Sequence, residues 1–306
     1  MIRLPASVFR PILLFFAEVN ENIVLTFDEK IMRAQTMSSA RTHFILLEIE
    51  RESALAYSQP DKEFCGRPAV LPGNQLSIFL RPTYYETIQL ILPTSECDGF
   101  KFVCQHPSGQ DVIQVISKDV EDDIYQPPDA DASMTATLNA AEFRDDINTF
   151  SALGFDGIRF VVENATCLTL HAQDPSNSTQ ARQTTYVTTA DWTTFHGGKV
   201  TVDVSDDDEK APSGDKKRRC AKTLSKQRVH RTAWAVRANA SYGSGLQVSA
   251  RFLKQLTACT SFCDNITISS RQFGDAGALL HISYELNREG MEMIAYVAPK
   301  IDNCDD

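Results

Sequence analysis

The sequence predicts an α+β protein made of two tandem domains of similar organisation, each with two short helices against antiparallel sheets. The chain has 306 residues, which is enough for two hydrophobic cores. Alternating apolar runs, broken by short turns, occur in both halves. Between the halves lies the acidic, proline-containing segment "SKDVEDDIYQPPDADAS", which follows neither a helical nor a strand period. This segment places an N-terminal domain at 1–116, an interdomain connector at 117–134 and a C-terminal domain at 135–306.

The elements of the N-terminal domain follow from its apolar periods. An amphipathic helix is predicted to begin near Pro11, because proline suits the first turn of a helix. Strands are predicted throughout "NIVLTFDEKIMRAQTMSSARTHFILLEIE", and a short helix in "GNQLSIFLRP", ending at Pro82. Further strands are predicted in "ETIQLILP", "GFKFVCQH" and "QDVIQVIS". The run "ILLFFA" is too short for a secretory core or a membrane span, so we expect no membrane association.

The C-terminal domain repeats this pattern around an insert. "LNAAEFRDDINTFSALG" predicts a helix, since its apolar residues recur at helical spacing. Strands are predicted in "DGIRFVVEN", "CLTLHAQD", "TTYVTTA", "KVTVDVS" and "TAWAVRANA". A mixed-charge insert at about 205–230 is predicted to be a mobile loop, because it has few apolar residues. A helix in "QVSARFLKQLTAC" and strands in "NITISSRQF", "ALLHISYEL" and "MIAYVAPKI" close the domain.

Nothing in the composition or the motifs demands an enzyme. The net charge of −10 argues against a generally basic surface, although a local basic face remains compatible with it. The eight cysteines are scattered without a CxxC pair, so we expect reduced thiols, no metal site and no cofactor. None of the six histidines lies in a recognisable catalytic motif, and "TFHGGK" lacks the P-loop spacing. We therefore expect a non-enzymatic protein with no catalytic residues.

The segment "AYVAPKI", followed by an acidic tail, resembles the end of the eukaryotic DNA sliding clamp, proliferating cell nuclear antigen (PCNA). "IMRAQTMSSARTHFILLEI", "SIFLR", "EF" before the third helix and "ARFLKQLTACT" resemble other PCNA segments in the same order. The acidic connector also falls where the family has one. The resemblance covers most of the chain at low identity.

The resemblance implies the DNA clamp fold and a homotrimeric ring that encircles double-stranded DNA without reading its sequence. The protein would be a nuclear polymerase processivity factor, placed on DNA by a clamp loader. It would also dock replication and DNA repair proteins that carry a clamp-binding motif. Subunits would join head to tail. Strand 111–117 is expected at a sheet edge, where a neighbouring subunit would pair with it, although an interior position is the alternative.

The family lines its ring with basic helix residues, which implies a DNA-binding set in this chain. The set is Arg10, Arg81, Arg144, Arg251 and Lys254. Several other positions where the family often has a basic residue hold Ala17, Asp145, Asn148 and Ala258. This predicts a thinner positive lining and a shallower salt dependence. Basic residues of the insert, between Lys216 and Arg228, have three open interpretations: a nuclear import signal, an extra DNA contact or a solvated loop.

The resemblance also implies a pocket for client peptides, formed by the terminal segment, the connector and the loop after the first strands. The implied partner-binding residues are Met37, Phe44, Tyr125, Pro127, Tyr296, Ala298, Pro299 and Ile301, with Arg41 where the family has a histidine. The alternative for the terminal segment is an ordinary buried last strand.

Two other functions stay open at this point. The divergent lining would also suit one subunit of a heterotrimeric checkpoint clamp. The basic insert would suit a monomeric processivity factor of viral type, which holds DNA on an open face.

Overall fold

The computed structural model describes residues 1–58, 65–81, 83–93, 99–117, 125, 132–164, 167–174, 177–188, 226–232, 236–238, 246–272 and 278–300. In these residues the chain is α+β, with almost entirely antiparallel sheets and few helices, as the sequence predicts. The helices are α1 (Ala6–Val19), α2 (Gly73–Phe79), α3 (Ala140–Ala152) and α4 (Ala250–Leu256). Short 3₁₀ helices span Arg51–Ser53 and Thr257–Phe262.

Nineteen strands are found in the described residues. The first half holds β1 (Ile2–Pro5), β2 (Asn22–Phe27), β3 (Ile31–Met37), β4 (His43–Glu50), β5 (Ala56–Tyr57), β6 (Ala69–Pro72), β7 (Thr87–Ile91), β8 (Gly99–His106) and β9 (Gly109–Ile116). The second half holds β10 (Ala132–Asn139), β11 (Gly157–Asn164), β12 (Cys167–Asp174), β13 (Asn177–Thr188), β14 (Lys226–Thr232), β15 (Val236–Ala238), β16 (Leu246–Ser249), β17 (Asn265–Gln272), β18 (Ala278–Glu285) and β19 (Met291–Val297).

The two halves have the same topology, apart from one extra strand. In the first half, β5-β1-β7-β8-β9 form one sheet and β4-β3-β2-β6 are joined in another. In the second half, β15-β10-β17-β18-β19 and β13-β12-β11-β16 repeat both orders. Helices α1 and α2 occupy the same places in the chain order as α3 and α4. Only β14 has no counterpart among the described strands of the first half.

One strand pair joins the halves into a continuous sheet. Strand β19 pairs antiparallel with β4, from Met291 opposite Ile49 to Val297 opposite His43. The resulting central sheet runs β15-β10-β17-β18-β19-β4-β3-β2-β6 through the described strands. We call the sheet that ends in β9 the N-terminal sheet and the one that contains β13 the C-terminal sheet. The last strand of the second half therefore docks on the fourth strand of the first.

The helices form one row that covers the sheets on one side. Helix α1 packs against α2, α3 packs against α4, and α1 also contacts the 3₁₀ turn after α4. Phe9 and Phe16 of α1, and Phe143 and Phe150 of α3, are almost fully buried. Burial of such rings supplies a large share of the hydrophobic stabilisation of each half.

Several element boundaries differ from the sequence-based prediction. Helix α1 begins at Ala6, so Pro11 lies inside it and not in its first turn. Helix α2 ends at Phe79, before Pro82. Four strands that the sequence pattern does not reveal precede the helices: β1, β6, β10 and β16. Because β10 begins at Ala132, it includes the last residues of the predicted connector.

The insert also differs from prediction where it is described. Residues Lys226–Thr232 form strand β14, and not a mobile loop, because they pair with β13 along its whole C-terminal part. The predicted strand "KVTVDVS", the rest of the insert and most of the connector lie outside the described residues.

The described residues contain no helix long and apolar enough to cross a membrane. They also contain no group of three or more His, Cys, Asp and Glu side chains placed to hold a metal ion. Cys65, Cys104, Cys259 and Cys263 are free thiols.

Candidate partner-docking pocket and basic helix row

A small hydrophobic cluster lies outside the main core, on the sheet face opposite the helices. Phe44, Leu46 and Tyr296 are its buried members, and Met37, Tyr125 and Ile294 pack against it. Their alternate neighbours Ile45 and Leu47 belong to the main core instead. Successive side chains of a strand point to opposite faces, so β4 and β19 contribute to both. His43 confirms the assignment, since its ring lies 5.3 Å from that of Phe252 on α4.

Strand register brings the aromatic pair of this cluster together. Phe44 of β4 and Tyr296 of β19 are directly opposite in the antiparallel ladder. Their ring centroids are 5.9 Å apart, within the range of a favourable aromatic contact. The junction between the two halves thus also builds the floor of the cluster.

A cavity of about 190 Å³ opens over this cluster. It is lined by Met37, Arg41, Thr42, His43, Phe44, Tyr125, Leu279, Tyr296 and Ala298. The structure therefore brings together six residues predicted to bind partners: Met37, Arg41, Phe44, Tyr125, Tyr296 and Ala298. Pro299 is described but does not line the cavity, and Pro127 and Ile301 lie outside the described residues.

Sequence reasoning did not single out His43 and Leu279. His43 lies next to the predicted Phe44, and its identity carries no motif that points to a pocket. Leu279 comes from β18, which contributes to the cavity only because β18 and β19 pair. A contact of this kind depends on sheet order, which the local sequence does not encode.

Tyr125, in the middle of the connector, is held over the cavity by β3. Its ring lies 5.9 Å from that of Phe44. With the Gln35 amide oriented to satisfy both of its polar atoms, it donates to the Tyr125 carbonyl at 3.0 Å and accepts from the Tyr125 N–H at 3.2 Å. Gln35 itself is buried, so these bonds are shielded from water. Gln35 fixes Tyr125 as one wall of the cavity.

Tyr296 is positioned from the other side by β18. Its ring lies 5.0 Å from that of His281, in an edge-to-face arrangement. The His281 Nδ1 is 2.9 Å from the hydroxyl oxygen of Ser269 on β17. Three adjacent strands thus set the orientation of Tyr296.

The turn before β4 shapes the rim of the cavity. Arg41 has a positive φ of 54°, which is uncommon for a residue with a side chain. Its N–H donates to the Ser38 carbonyl at 2.8 Å, and the Thr42 N–H donates to the Ser38 hydroxyl at 3.1 Å. This places the exposed Arg41 beside the cavity.

The described residues after β19, 298–300, are fastened to the rest of the protein. The Ala298 N–H donates to the Thr42 carbonyl at 2.8 Å. The Lys300 N–H donates to the Gln247 carbonyl at 2.8 Å, and its Nζ is 2.6 Å from an Asp156 carboxylate oxygen. The terminal segment therefore passes from the central sheet to the C-terminal sheet along the edge of the cavity.

His43 is a buried titratable group beside the cavity. Burial lowers the pKa of His43 below its ordinary value of 6.5. Its Nδ1 is 3.3 Å from the Thr42 hydroxyl, and its Nε2 has no hydrogen-bond partner among the described residues. The ring is thus kept neutral against Phe252.

The predicted DNA-binding residues all lie in the helix row, but they differ in availability. Arg251 and Lys254 are exposed on α4 and, being three residues apart, share one face. Arg81 is also exposed, just after α2. In contrast, Arg10 is hydrogen-bonded to the backbone after α2, and the Arg144 Nε is 3.5 Å from a carboxylate oxygen of Asp145.

Comparison with solved structures places this architecture among PCNA chains. The PCNA2–PCNA3 complex from Sulfolobus tokodaii matches with a TM-score of 0.69 and 15% identity, covering 98% of each chain. PCNA from Entamoeba histolytica matches with a TM-score of 0.67 and 15% identity, again covering 98% of each chain. No family model matches the chain, and no curated protein matches its sequence. The predicted resemblance to PCNA is thus confirmed in the fold, which is the clamp fold with two tandem domains.

Proposed function

We propose that this protein is a sliding clamp, whose subunits form a ring around duplex DNA and hold a polymerase and repair proteins on it. The observation that carries the proposal is that the two faces of the central sheet carry different features. The helix row covers one face, while the aromatic cavity and the connector residue Tyr125 lie on the other. A clamp needs DNA on one side and clients on another, and it needs no active site.

Ring closure is supported by an edge that the monomer leaves open. Strand β9 is the last strand of the N-terminal sheet in the described residues, at the edge that the sequence predicts. Val112 and Ile116 on it are 51% and 70% exposed. Exposed, apolar sheet edges pair readily with another strand. Its counterpart in the second half, β19, already pairs with β4. We propose the equivalent contact between β9 and the β13 side of a neighbouring subunit.

Two further exposed apolar residues suit the same contact. Ile78 of α2 is 71% exposed, and Leu153, just after α3, is 53% exposed. These two helices belong to opposite halves of the chain. In a head-to-tail arrangement the first half of one subunit meets the second half of the next, which would cover both side chains.

The exposed basic residues of the helix row support loose, sequence-independent DNA contact. Arg81, Arg251 and Lys254 are available for phosphates, while Glu18 and Asp145 are exposed acidic residues in the same row. We therefore propose a weakly attractive lining. A clamp retained by its topology does not need tight phosphate contacts, and a thin lining gives a shallow salt dependence.

The cavity supports docking of client peptides through aromatic or aliphatic anchors. Its floor is apolar, it is lined by the aromatic residues Phe44, Tyr125 and Tyr296, and Tyr125 belongs to the connector. Such pockets bind a short helical turn, with the flanking chain added along the connector. DNA polymerase and other proteins with a clamp-binding motif are the proposed clients. The nucleus is the proposed location, with a clamp loader as the opening partner.

A second candidate is one subunit of a ring made of non-identical clamp chains. The observation that favours it is the helix row, in which Arg10 and Arg144 are engaged within the chain. Different partner subunits would then supply the missing positive charge.

Topological retention tests the proposal directly. The protein is mixed at high concentration with duplex DNA whose two ends are blocked, and then washed at high salt. A ring stays on the DNA and leaves after a restriction cut, whereas an open-face binder leaves in the wash. Light scattering on the protein alone, at the same high concentration, should give about 102 kDa, three times the 34.1 kDa subunit. Complete loss of the protein from the DNA in the wash, together with a mass of 34.1 kDa at every concentration, would contradict a self-sufficient ring.

A further inference from the structure

The extra strand β14 pairs with the outer edge of β13. In the first half the equivalent edge, that of β4, is paired with a strand of the other half. Strand β13 is the counterpart of β4, since each ends the four-strand group of its half. The outer edge of β4 is paired with β19. The outer edge of β13 is paired with β14 of the same chain, from Arg182 opposite Lys226 to Thr188 opposite Thr232. The proposed ring contact would place β9 of a second subunit on this edge.

A strand edge accepts one neighbour at a time, because each outward N–H and C=O group is used once. Strand β14 covers seven consecutive positions of β13, in parallel orientation. The junction between β4 and β19 also spans seven paired positions, but it is antiparallel. Strands β14 and β9 are thus two occupants of similar length for a single edge.

We propose that β14 is an intramolecular cap on the β13 edge, and that β9 of a second copy must displace it to close the ring. This inference rests on the proposed ring and names how its assembly is regulated. While β14 is paired, β9 stays open, but the C-terminal sheet ends in the polar, charged β14 in place of β13. The proposed head-to-tail contact needs both β9 and the β13 edge, so the capped subunit does not assemble through it.

The balance between the two occupants follows from their chemistry. The cap has the advantage of being tethered, which gives it a high effective concentration. The competitor has two advantages of its own. Antiparallel pairing is slightly more stable per residue than parallel pairing. Strand β9 also brings the exposed Val112 and Ile116, whereas β14 reads "KQRVHRT", which contains one aliphatic residue. Exchange is therefore expected to depend on subunit concentration.

The first test removes the pairing ability of β14. In the double variant Arg228→Pro/Val229→Pro, one of the two adjacent positions must lose an N–H that faces β13, since successive N–H groups point to opposite sides. Sedimentation velocity over a wide concentration range measures self-association. The dissociation constant of the ring is expected to fall at least about tenfold relative to the unmodified chain. An unchanged dissociation constant would overturn the cap.

A second variant reaches the same state by a different route. In the first half, residues 51–55 connect β4 to β5, the counterparts of β13 and β15. Replacing residues 189–235 by the sequence "RESAL" of that connection removes β14 and gives the second half the same kind of link. The expected tightening is the same as for the proline variant. A shortened chain that is folded by circular dichroism but assembles no better than the full chain would also overturn the cap.

Substitution of β9 separates the cap from the ring itself. Val112→Asp/Ile116→Asp changes two exposed side chains and is expected to abolish self-association in both the capped and the uncapped chain. If it does so while the β14 variants change nothing, the cap is wrong and the ring contact stands. If it leaves self-association unchanged in both chains, the contact through β9, and the proposal built on it, both fail.

Discussion

Arg10 joins α1 to the end of α2: its Nη2 donates to the Arg81 carbonyl oxygen at 2.9 Å, and its Nε donates to the Leu80 carbonyl. These carbonyls follow the last turn of α2, where no intrahelical donor remains for them. A residue that the sequence assigns to DNA contact is thus engaged in fastening two helices together. Its role in DNA binding stays a prediction, and the structure gives it a second role.

Substituting Arg10 is therefore expected to affect stability more than DNA binding. Arg10→Met removes both hydrogen bonds and should lower the free energy of unfolding by roughly 1–3 kcal/mol. The salt dependence of DNA binding should stay the same. Urea unfolding and DNA binding at several salt concentrations measure the two effects. A shallower salt slope with unchanged stability would mean that Arg10 contacts phosphate in the complex.

Arg251 and Lys254 should show the opposite behaviour. Both are exposed on α4, and neither has an ion pair among the described residues. Arg251→Gln/Lys254→Gln should reduce the slope of log binding constant against log salt by about 0.9 for each DNA phosphate that the variant no longer neutralises. Unfolding free energy should change by less than about 0.5 kcal/mol. The exposed Arg41, on the cavity side of the sheet, supplies a matched control as Arg41→Gln.

Tyr296 is expected to be essential for peptide binding. Tyr296→Ala removes the ring that contacts Phe44 and His281 and should weaken the affinity for a clamp-binding peptide by about thirtyfold or more. Fluorescence anisotropy with a labelled peptide that carries two aromatic anchors measures this. Tyr296→Phe keeps the ring and serves as the control. If Tyr296→Ala leaves both the peptide affinity and the mass of the assembled protein in solution unchanged, the cavity is not the docking site.

Gln35 should act on the same binding through the connector. Gln35→Ala removes both hydrogen bonds to Tyr125 and should weaken peptide binding about tenfold, because the wall of the cavity is no longer fixed. Gln35→Glu keeps an acceptor for the Tyr125 N–H and removes the donor, so an intermediate effect is expected. Hydrogen exchange at the Tyr125 amide should be faster in Gln35→Glu than in the unmodified chain, and fastest in Gln35→Ala. Faster exchange without weaker binding would show that clients do not use the connector.

His43 predicts an acid-sensitive stability. Burial lowers its folded-state pKa below 6.5, so below pH 6.5 the unfolded chain binds a proton that the folded chain does not. Stability from this group is fully present above pH 6.5 and is lost as the pH falls below it. His43→Leu should flatten the dependence of unfolding free energy on pH between about 5 and 7. Some dependence should remain, because burial and Arg159 also lower the pKa of His171. An unchanged slope in His43→Leu would exclude this origin.

The alternation of apolar and polar residues was sufficient to predict β2, β3, β4 and the closing strands. One face of β4 belongs to the core and the other to the cavity, which gives a long apolar run with a clear end at Glu48 and Glu50. The start of α1 differs from the prediction: the first-turn preference of proline predicts a start near Pro11, whereas α1 begins at Ala6. Pro11 is accommodated later in the helix, where strong burial of Phe9, Phe15 and Phe16 offsets a missing backbone bond.

The elements and site residues that the sequence did not predict share a physical cause, which is their dependence on contacts distant in the sequence. Strands β1, β6 and β16 have four residues each and β10 has eight, and each leads directly into a helix, so no loop separates the strand from the helix in the sequence. Strand β14 is polar and charged, and its pairing depends on an open neighbour edge and not on its own apolar pattern. The cavity residues came from a family resemblance, while Gln35 and Leu279 belong to the site only through sheet order. Their contribution to binding stays a prediction until it is measured.

Strand β19 of the second half pairs with β4 of the first half. Because both halves belong to one chain, this contact cannot be lost by dissociation of subunits. Each half carries one edge of the β9 or β19 type and one of the β4 or β13 type. If the proposed ring of three subunits forms, a chain of half this length, with both edges on one domain, would hold everything needed to build the same ring from six identical units. Duplication and fusion of such an ancestor would turn every second subunit boundary into an internal junction. The boundaries that remained between chains would then be free to acquire controls of their own, and an added strand at one of them is the simplest kind.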